Sequence, residues 1–475
     1  MASGLPDVKN KILDGALGAR GADATGIFGA VGVAANYGGG IQIFTDPGDA
    51  AEALGDGPLR DLVVSSLSVA GTICYAVALE GTTPGTVGSV TAGGENTGAG
   101  SVEASGTPRN EYDVRVVIVE SGALNEAVFR VEIDGVLGKK YTVPDTPGTF
   151  DIPGTGITLT FSEGTPTGDE AQFEVDDEWS FSVTAPTATN NEVLAAVDTL
   201  LESAYAYEWI SIAGVSASPL WASLAVKAAG AEASHRYIHF KCQARYVDDT
   251  ETTSEWVAAL AGDERGSTVG GRVQVYAGWV MEADPAGAVD ERGLIGLGTG
   301  LSARREPHEP IDAVKYGGIP GVVEILPTDL NEGHIKTLAD AGYVTARHYI
   351  GLTGTYITSG KMLAEDTSDF KLEERRRVMD KACKLVRDAQ MKYLNDTVEV
   401  GADGSLEGIE MFKKISEQPL DQMVNGGEIS SGTVYIDPNQ DILSTEQIVT
   451  RIRITPLGKM SHIENVISYH NPLLA

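Results

Sequence analysis

Between residues 81 and 186 the chain changes character, and that change limits what the whole can fold into. This stretch is rich in Gly, Thr, Val and Ser and poor in helix formers. Short apolar runs separated by turn residues read as strands over 112–119, 128–133, 149–152, 157–161, 172–175 and 179–183. That spacing predicts a β-sandwich. On both sides the rhythm is different. Strands over 26–34 and 40–44 precede a helix over 50–54, capped by Asp46-Pro47-Gly48-Asp49 and ended at Gly55. Pro58 opens a second helix over 59–69, and an apolar strand follows over 73–79. Beyond the stretch, Asn190 caps an amphipathic helix with Val193, Leu194, Val197, Leu200 and Leu201 on one face. Strands over 208–213, 237–242 and 272–277 then alternate with helices over 219–229 and 255–261. Such alternation predicts a parallel-type sheet flanked by helices, with 81–186 inserted into one strand-to-helix crossover.

The later chain reads as α+β. Helices are expected over 291–301 and 331–341, with a Pro-broken segment at 306–310 between them and a strand over 343–350. A long charged helix over 372–395 carries Val378, Ala382, Leu385, Ala389 and Tyr393 on one face, and another helix covers 406–424. The ending is the more telling part. A strand mixing Val449, Ile452 and Ile454 with Thr450, Arg451 and Arg453 is broken at Pro456-Leu457-Gly458, and Ile463, Val466 and Ile467 begin another. A strand at the end of a chain pairs at home or leaves an open edge, which soluble proteins normally blunt. An assembly protein can use that edge as a joint. At the other end, the polar first twenty residues contain one alternating piece, Val8 to Leu13, which by itself reads as a frayed terminus.

A formal net charge of −32 over 475 residues argues against direct binding to nucleic acid or an anionic membrane, since phosphate recognition needs clustered Lys and Arg. Cys74, Cys242 and Cys383 fit neither a zinc spacing nor a disulfide framework, consistent with folding in a reducing compartment. A charged-then-apolar leader and a bilayer-length apolar run are both lacking, so the expectation is a soluble protein made in the cytoplasm.

Motifs of catalysis fail on inspection. Gly354 to Met362 mimics a phosphate loop but carries one residue too many before Gly360, and Met362 stands where Ser or Thr must meet magnesium. Gly296-Leu-Gly-Thr-Gly300 reads as a turn, and Gly214 to Ser218 lacks the second Gly of a nucleophile elbow. Asp176-Asp177-Glu178 lacks the alternating ligands of a calcium loop and reads as a solvated turn. His235 and His239 have no third ligand in reach, so packing and exposure are their ordinary explanation. No catalytic residue, cofactor site or metal site is assigned.

Several pieces, in order, do resemble one family. The run Asp49 to Leu59, the following helix, Gly71 and Cys74-Tyr-Ala-Val77 look like the N-terminal signature of contractile-tail sheath proteins of bacteriophages. The helix with Arg375-Arg376-Arg377, the strand over 432–437 and the strand–Pro–strand ending over 448–467 are similar to the sheath C-terminal domain. The Trp- and Arg-containing stretch that many sheaths carry before the long helix is replaced by residues 359–366. The resemblance implies an N-terminal arm over 1–20, an α/β sheath domain over 21–80 and 187–360, an outward-facing insert over 81–186, and a C-terminal α+β domain with a terminal arm over 361–475. It implies a homo-oligomer, a helical sheath of stacked and expectedly hexameric rings, with tail tube, baseplate and tail terminator proteins as partners. The place implied is the virion tail, assembled in the host cytoplasm. Terminal strands are expected to be exchanged with neighbours through Val8, Ile12, Leu13, Ile463, Val466, Ile467 and Tyr469. Gly18, Gly21, Pro456 and Gly458 are the expected hinges. Contraction of such a tube needs no nucleotide, in keeping with the failed motifs. Two rival readings remain: an α/β enzyme with an accessory β-sandwich, centred on His348 or Asp248-Asp249, and a glycan-binding tail component using Tyr112, Tyr141 and Trp179.

Overall fold

The structure, a computed structural model, describes residues 24–165, 171–248, 250–267, 270–283, 289–402 and 404–469. The chain divides into two compact units, one up to Asp380 and one from Lys381 onward.

The first unit is built on a six-stranded sheet. Its spatial order is Val273–Tyr276, His239–Gln243, Trp209–Val215, Phe28–Val33, Cys74–Leu79 and Ile41–Phe44. The first five run parallel, and Ile41–Phe44 pairs antiparallel at the edge. Every residue of Phe28–Val33 is buried, as a central strand covered on both faces must be. One face packs against the helices Pro47–Leu54, Pro58–Val69 and Ile295–Arg304 through Leu54, Leu59, Leu67, Leu297 and Leu301. The other is covered by Asn190–Glu202, Ser218–Ala233 and Thr253–Ala261 through Val197, Leu200, Trp221, Leu224 and Trp256. The start signal at Asp46 works as expected, whereas the helix after the insert is capped by Thr189 and not by Asn190, because it is the Thr189 hydroxyl that reaches the Glu192 amide. The Asp46 side chain accepts from the Gly48 and Asp49 amides, and Thr189 with Glu192 and Thr252 with Glu255 form capping boxes.

Residues 81–186 leave after the strand Cys74–Leu79 and return before the helix Asn190–Glu202, and Thr83 and Thr187 bridge each other where the chain departs and re-enters. Between these points lie a three-stranded sheet of Ser101–Gly106, Ile157–Ser162 and Thr149–Ile152 and a five-stranded sheet running from Thr91–Ala92 to Val136–Thr142. Both are antiparallel, and Phe129, Phe161, Phe173 and Trp179 meet in one core between them. The run 172–175 is not a strand: Phe173 makes a single bridge to Gly122 and serves as a core plug. Asp177 is not a solvated turn residue either. It is buried and accepts from the backbone amides of Thr97 at 2.8 Å and Glu174 at 2.8 Å, so its charge ties two loops together.

A further departure concerns Gly296 to Gly300, which lies inside the helix Ile295–Arg304 and not in a turn. Here the glycines serve packing. A Cβ on Gly300 would stand 2.6 Å from the Ser66 carbonyl, and one on Gly298 would stand 2.2 Å from the Tyr276 ring. Helix Ile295–Arg304 can thus lie directly on Pro58–Val69, where the Ser66 hydroxyl donates to the Gly296 carbonyl at 2.9 Å. The strand expected over 343–350 shrinks to Ala346–His348, paired with Thr355–Ile357.

In the second unit, the helix Ile409–Asn425 packs on the strand Ile429–Ile436 through Leu420, against which Gly432 lies closely. That strand pairs antiparallel with Thr450–Pro456, with Val434 opposite Ile452 and Gly432 opposite Ile454.

Candidate assembly surface and the buried ion network

The C-terminal hairpin is an unfinished sheet. It has two strands among the described residues, and an isolated two-stranded ribbon is marginal in water. Strand Ile429–Ile436 buries Ile429, Val434 and Ile436, whereas Thr450–Pro456 has no buried residue. Pro456 ends the ribbon opposite Ile429, and its carbonyl accepts from the Ser430 hydroxyl at 3.1 Å. After it, residues 457–469 have no regular structure. The strand expected from Ile463 is therefore not formed over the described residues 463–469. The physical reason is that these described residues are given no neighbouring strand to supply ladder hydrogen bonds. They are also apolar and open to solvent: Ile463 is 76% exposed, Val466 and Ile467 90%, and Tyr469 fully so. An exposed tail carrying apolar residues beside an incomplete sheet is what strand addition requires of a donor. The other expected arm, Val8, Ile12 and Leu13, and the hinge candidates Gly18 and Gly21 lie outside the described residues. Gly458 follows the hairpin with nothing packed on it.

A second feature escaped the sequence reading. In the first unit the opening turns of the helix Glu373–Met391 bury charges against the central sheet. Lys241 is fully buried and pairs with Glu373 at 2.8 Å, while its ammonium lies 4.6 Å from the centre of the Trp209 ring. Gln274 donates to the other Glu373 oxygen at 3.1 Å. Arg377 pairs with Glu208 at 2.8 Å and donates to the Arg305 carbonyl, and Glu208 also accepts the Gly26 amide at 2.7 Å. Arg272 pairs with Asp380 at 3.0 Å and donates to the Ile238 carbonyl. Burial lowers Lys241 to about 8, opposed by Glu373, and burial also holds His239 below its ordinary value. His239 therefore sits neutral beside the pair, 3.7 Å from Glu373, and His235 stands apart from it at the end of Ser218–Ala233, exposed and with φ of 61°. The available sequence signal was indirect: Lys241 breaks an apolar strand, and a helix whose arginines face inward needs acids to meet them.

The residues weighed for chemistry are scattered. His348 is exposed and hydrogen-bonds the Gly354 carbonyl, and Asp248 holds a turn through Thr250. Lys361 donates to the Ala339 carbonyl, and Ser216 donates to the Gln243 carbonyl while accepting from Trp221. Among the described residues no group of His, Cys, Asp or Glu is suited to a metal ion and no helix is long and apolar enough to cross a membrane.

The fold has solved relatives. The structure is similar to the PVC sheath complex of an extracellular contractile injection system in its contracted state, at 10% identity with 99% of each chain covered and a TM-score of 0.54. It is similar to a chain of the anti-feeding prophage baseplate at 11% identity, covering 99% of this chain and 100% of that one, with a TM-score of 0.52. The sheath tail protein of Desulfitobacterium hafniense matches at 14% identity over 95% of this chain and 100% of its own, with a TM-score of 0.48. The mixed α/β fold is thus that of contractile-system sheaths, as the sequence resemblance implied. None of the curated proteins matches the chain. The family models described as DUF2586, N-terminal domain, and DUF2586, C-terminal domain, match residues 5–361 and 369–474, and the chain belongs to the DUF2586 family.

Proposed function

We propose that this chain is the structural subunit of a contractile tail sheath and polymerises as a helical tube of stacked, hexameric rings around a tail tube. The observation that carries the reading is the whole-length fold likeness to a contracted sheath complex, combined with the exposed apolar tail beyond an unfinished ribbon. In this reading the segment from Ile463 to Tyr469 adds a strand to the sheet of a neighbouring copy, with Pro456 and Gly458 as the pivot. The N-terminal segment around Val8 to Leu13 makes the complementary addition, pivoting at Gly18 and Gly21. Main-chain hydrogen bonds suit such a joint because they persist while the bodies they connect rotate. A contact between unlike surfaces that does not close on itself propagates as a helix. Contraction is a rigid-body rearrangement from a kinetically trapped extended lattice to a more stable short one. Residues 81–186 form an inserted β-sandwich on the outer wall, and the baseplate and tail terminator cap the tube in the virion tail. The role is mechanical and needs no cofactor.

Electron microscopy of the purified chain and of a variant lacking residues 464–475 tests this. The full chain forms tubes or rings, and the variant stays soluble and folded by circular dichroism but does not polymerise. Normal tubes from the truncated chain would remove the C-terminal arm as the joint.

A further inference from the structure

Where residues 110–112 rest on the rest of the first unit, they meet a cluster of charged groups. From the insert side come Asn110 and Tyr112, both buried; Asn110 donates to Asp61 at 2.7 Å and to Asp56 at 3.3 Å, and the Tyr112 hydroxyl donates to Asp56. From the body, Arg292 holds Asp61 at 2.5 Å and Asp290 at 2.7 Å, and Arg60 adds a third hold on Asp61 at 2.7 Å. These are the cations that the ion pairs place in the seam, and the carboxylates outnumber them. Glu282, 6% exposed, stands directly across the strand pair from Asp290, a like-charge placement that repels when both are ionised. One of its carboxylate oxygens is buried without a hydrogen-bond partner, which for an ionised group is costly and for a protonated one is not. Asp134 accepts the Asp113 amide at 2.7 Å and lies in the field of Asp290, Asp113 and Arg292. Glu291 faces Glu111, Asp113 and Asp134 on one side and Tyr246 on the other.

We infer that this seam is a proton-controlled contact, closed when Glu282 and Asp134 carry protons and loosened when they are ionised, so that pH sets how firmly residues 81–186 are held. Its ligand is the solvent proton, and the unpartnered buried oxygen of Glu282 is one place where it sits.

The titration agrees with the geometry. Burial pushes Glu282 up to about 7 and Asp134 up to about 6. Loss of hydration and then Glu111 push Glu291 the same way, but this side chain is exposed and solvent screens its share. Ordinary values are 4.5 for Glu and 3.8 for Asp, so the folded seam keeps protons that an unfolded chain has released. The contribution is therefore full below about pH 4 and is lost as pH rises through about 6 to 7.

Hydrogen exchange on the full chain, corrected for the intrinsic pH dependence of exchange, reads this directly. Amides over 110–115 and 289–293 are expected to lose protection by about tenfold or more between about pH 5 and about pH 8, while the central strand Phe28–Val33 keeps its own. The pair Asp134→Asn and Glu282→Gln makes the protonated form permanent and should flatten that slope. Asp134→Asn alone, at a half-buried site, is the milder variant should the pair fail to fold, and it should reduce the slope. Equal protection at both pH values, or a slope unchanged in Asp134→Asn, overturns the inference. The result is independent of whether the chain forms tubes.

Discussion

Glu208 and Arg377 illustrate what a buried pair demands of a fold. Glu208 is 8% exposed, just ahead of the strand Trp209–Val215, and its two partners are the Arg377 guanidinium and the Gly26 amide. Arg377 has the Arg305 carbonyl and the Trp209 ring as further contacts, the latter at 5.2 Å. Removing one member leaves the other charge in an apolar setting. Arg377→Met is expected to cost about 3–5 kcal/mol, read as a fall in the denaturant midpoint of the first unit. Glu208→Gln in the same chain should return part of that loss, because the uncompensated charge is gone. If both single variants are neutral, the network contributes no stability. Arg377 was visible in the sequence but its partner was not, since Glu208 lies 169 residues away, and Asp380 of the same helix meets Arg272 across 108 residues.

At the scale of elements, the parallel sheet was legible because each strand was a short apolar run between capped helices, and caps and runs are local signals. Glycine is not so easily read. The string Gly296 to Gly300 has the composition of a turn, and what makes it a helix is a neighbour, Pro58–Val69, far away in sequence. Gly300→Val places atoms against the Ser66 carbonyl and Val69, and about 1–3 kcal/mol of overpacking is expected, with a lowered melting temperature that Ser66→Gly does not relieve because the obstacle is main chain. The terminal segment shows the opposite limit. Ile463, Val466 and Ile467 have the pattern of a strand, but a strand exists only with a partner, and sequence cannot say on which chain the partner lies. The seam at Asp61 and Glu282 gave no sequence signal at all: its members come from helix, hairpin and insert, and only the fold gathers them.

At the scale of the molecule the governing quantity is the charge of −32. In the proposed assembly copies that touch repel one another, and the reach of that repulsion is about 30 Å at 0.01 M salt and about 10 Å at 0.1 M. The proposed joint is made of main-chain hydrogen bonds and apolar side chains such as Val466 and Ile467, which salt does not weaken. Raising salt from about 0.01 to about 0.3 M should therefore lower the concentration needed for tubes, by an order of magnitude or so, followed by sedimentation with microscopy of the pellet. A joint built on ion pairs behaves the other way. The hairpin offers Arg451 and Arg453, both exposed, to the acids of a neighbour, and salt would loosen such a contact. Arg451→Gln with Arg453→Gln separates the two cases: it leaves the salt response of strand addition in place and abolishes that of an ionic joint. Tubes that dissolve as salt rises, and that these substitutions prevent, would mean that copies are held by side-chain charge and that the exposed tail serves some other end.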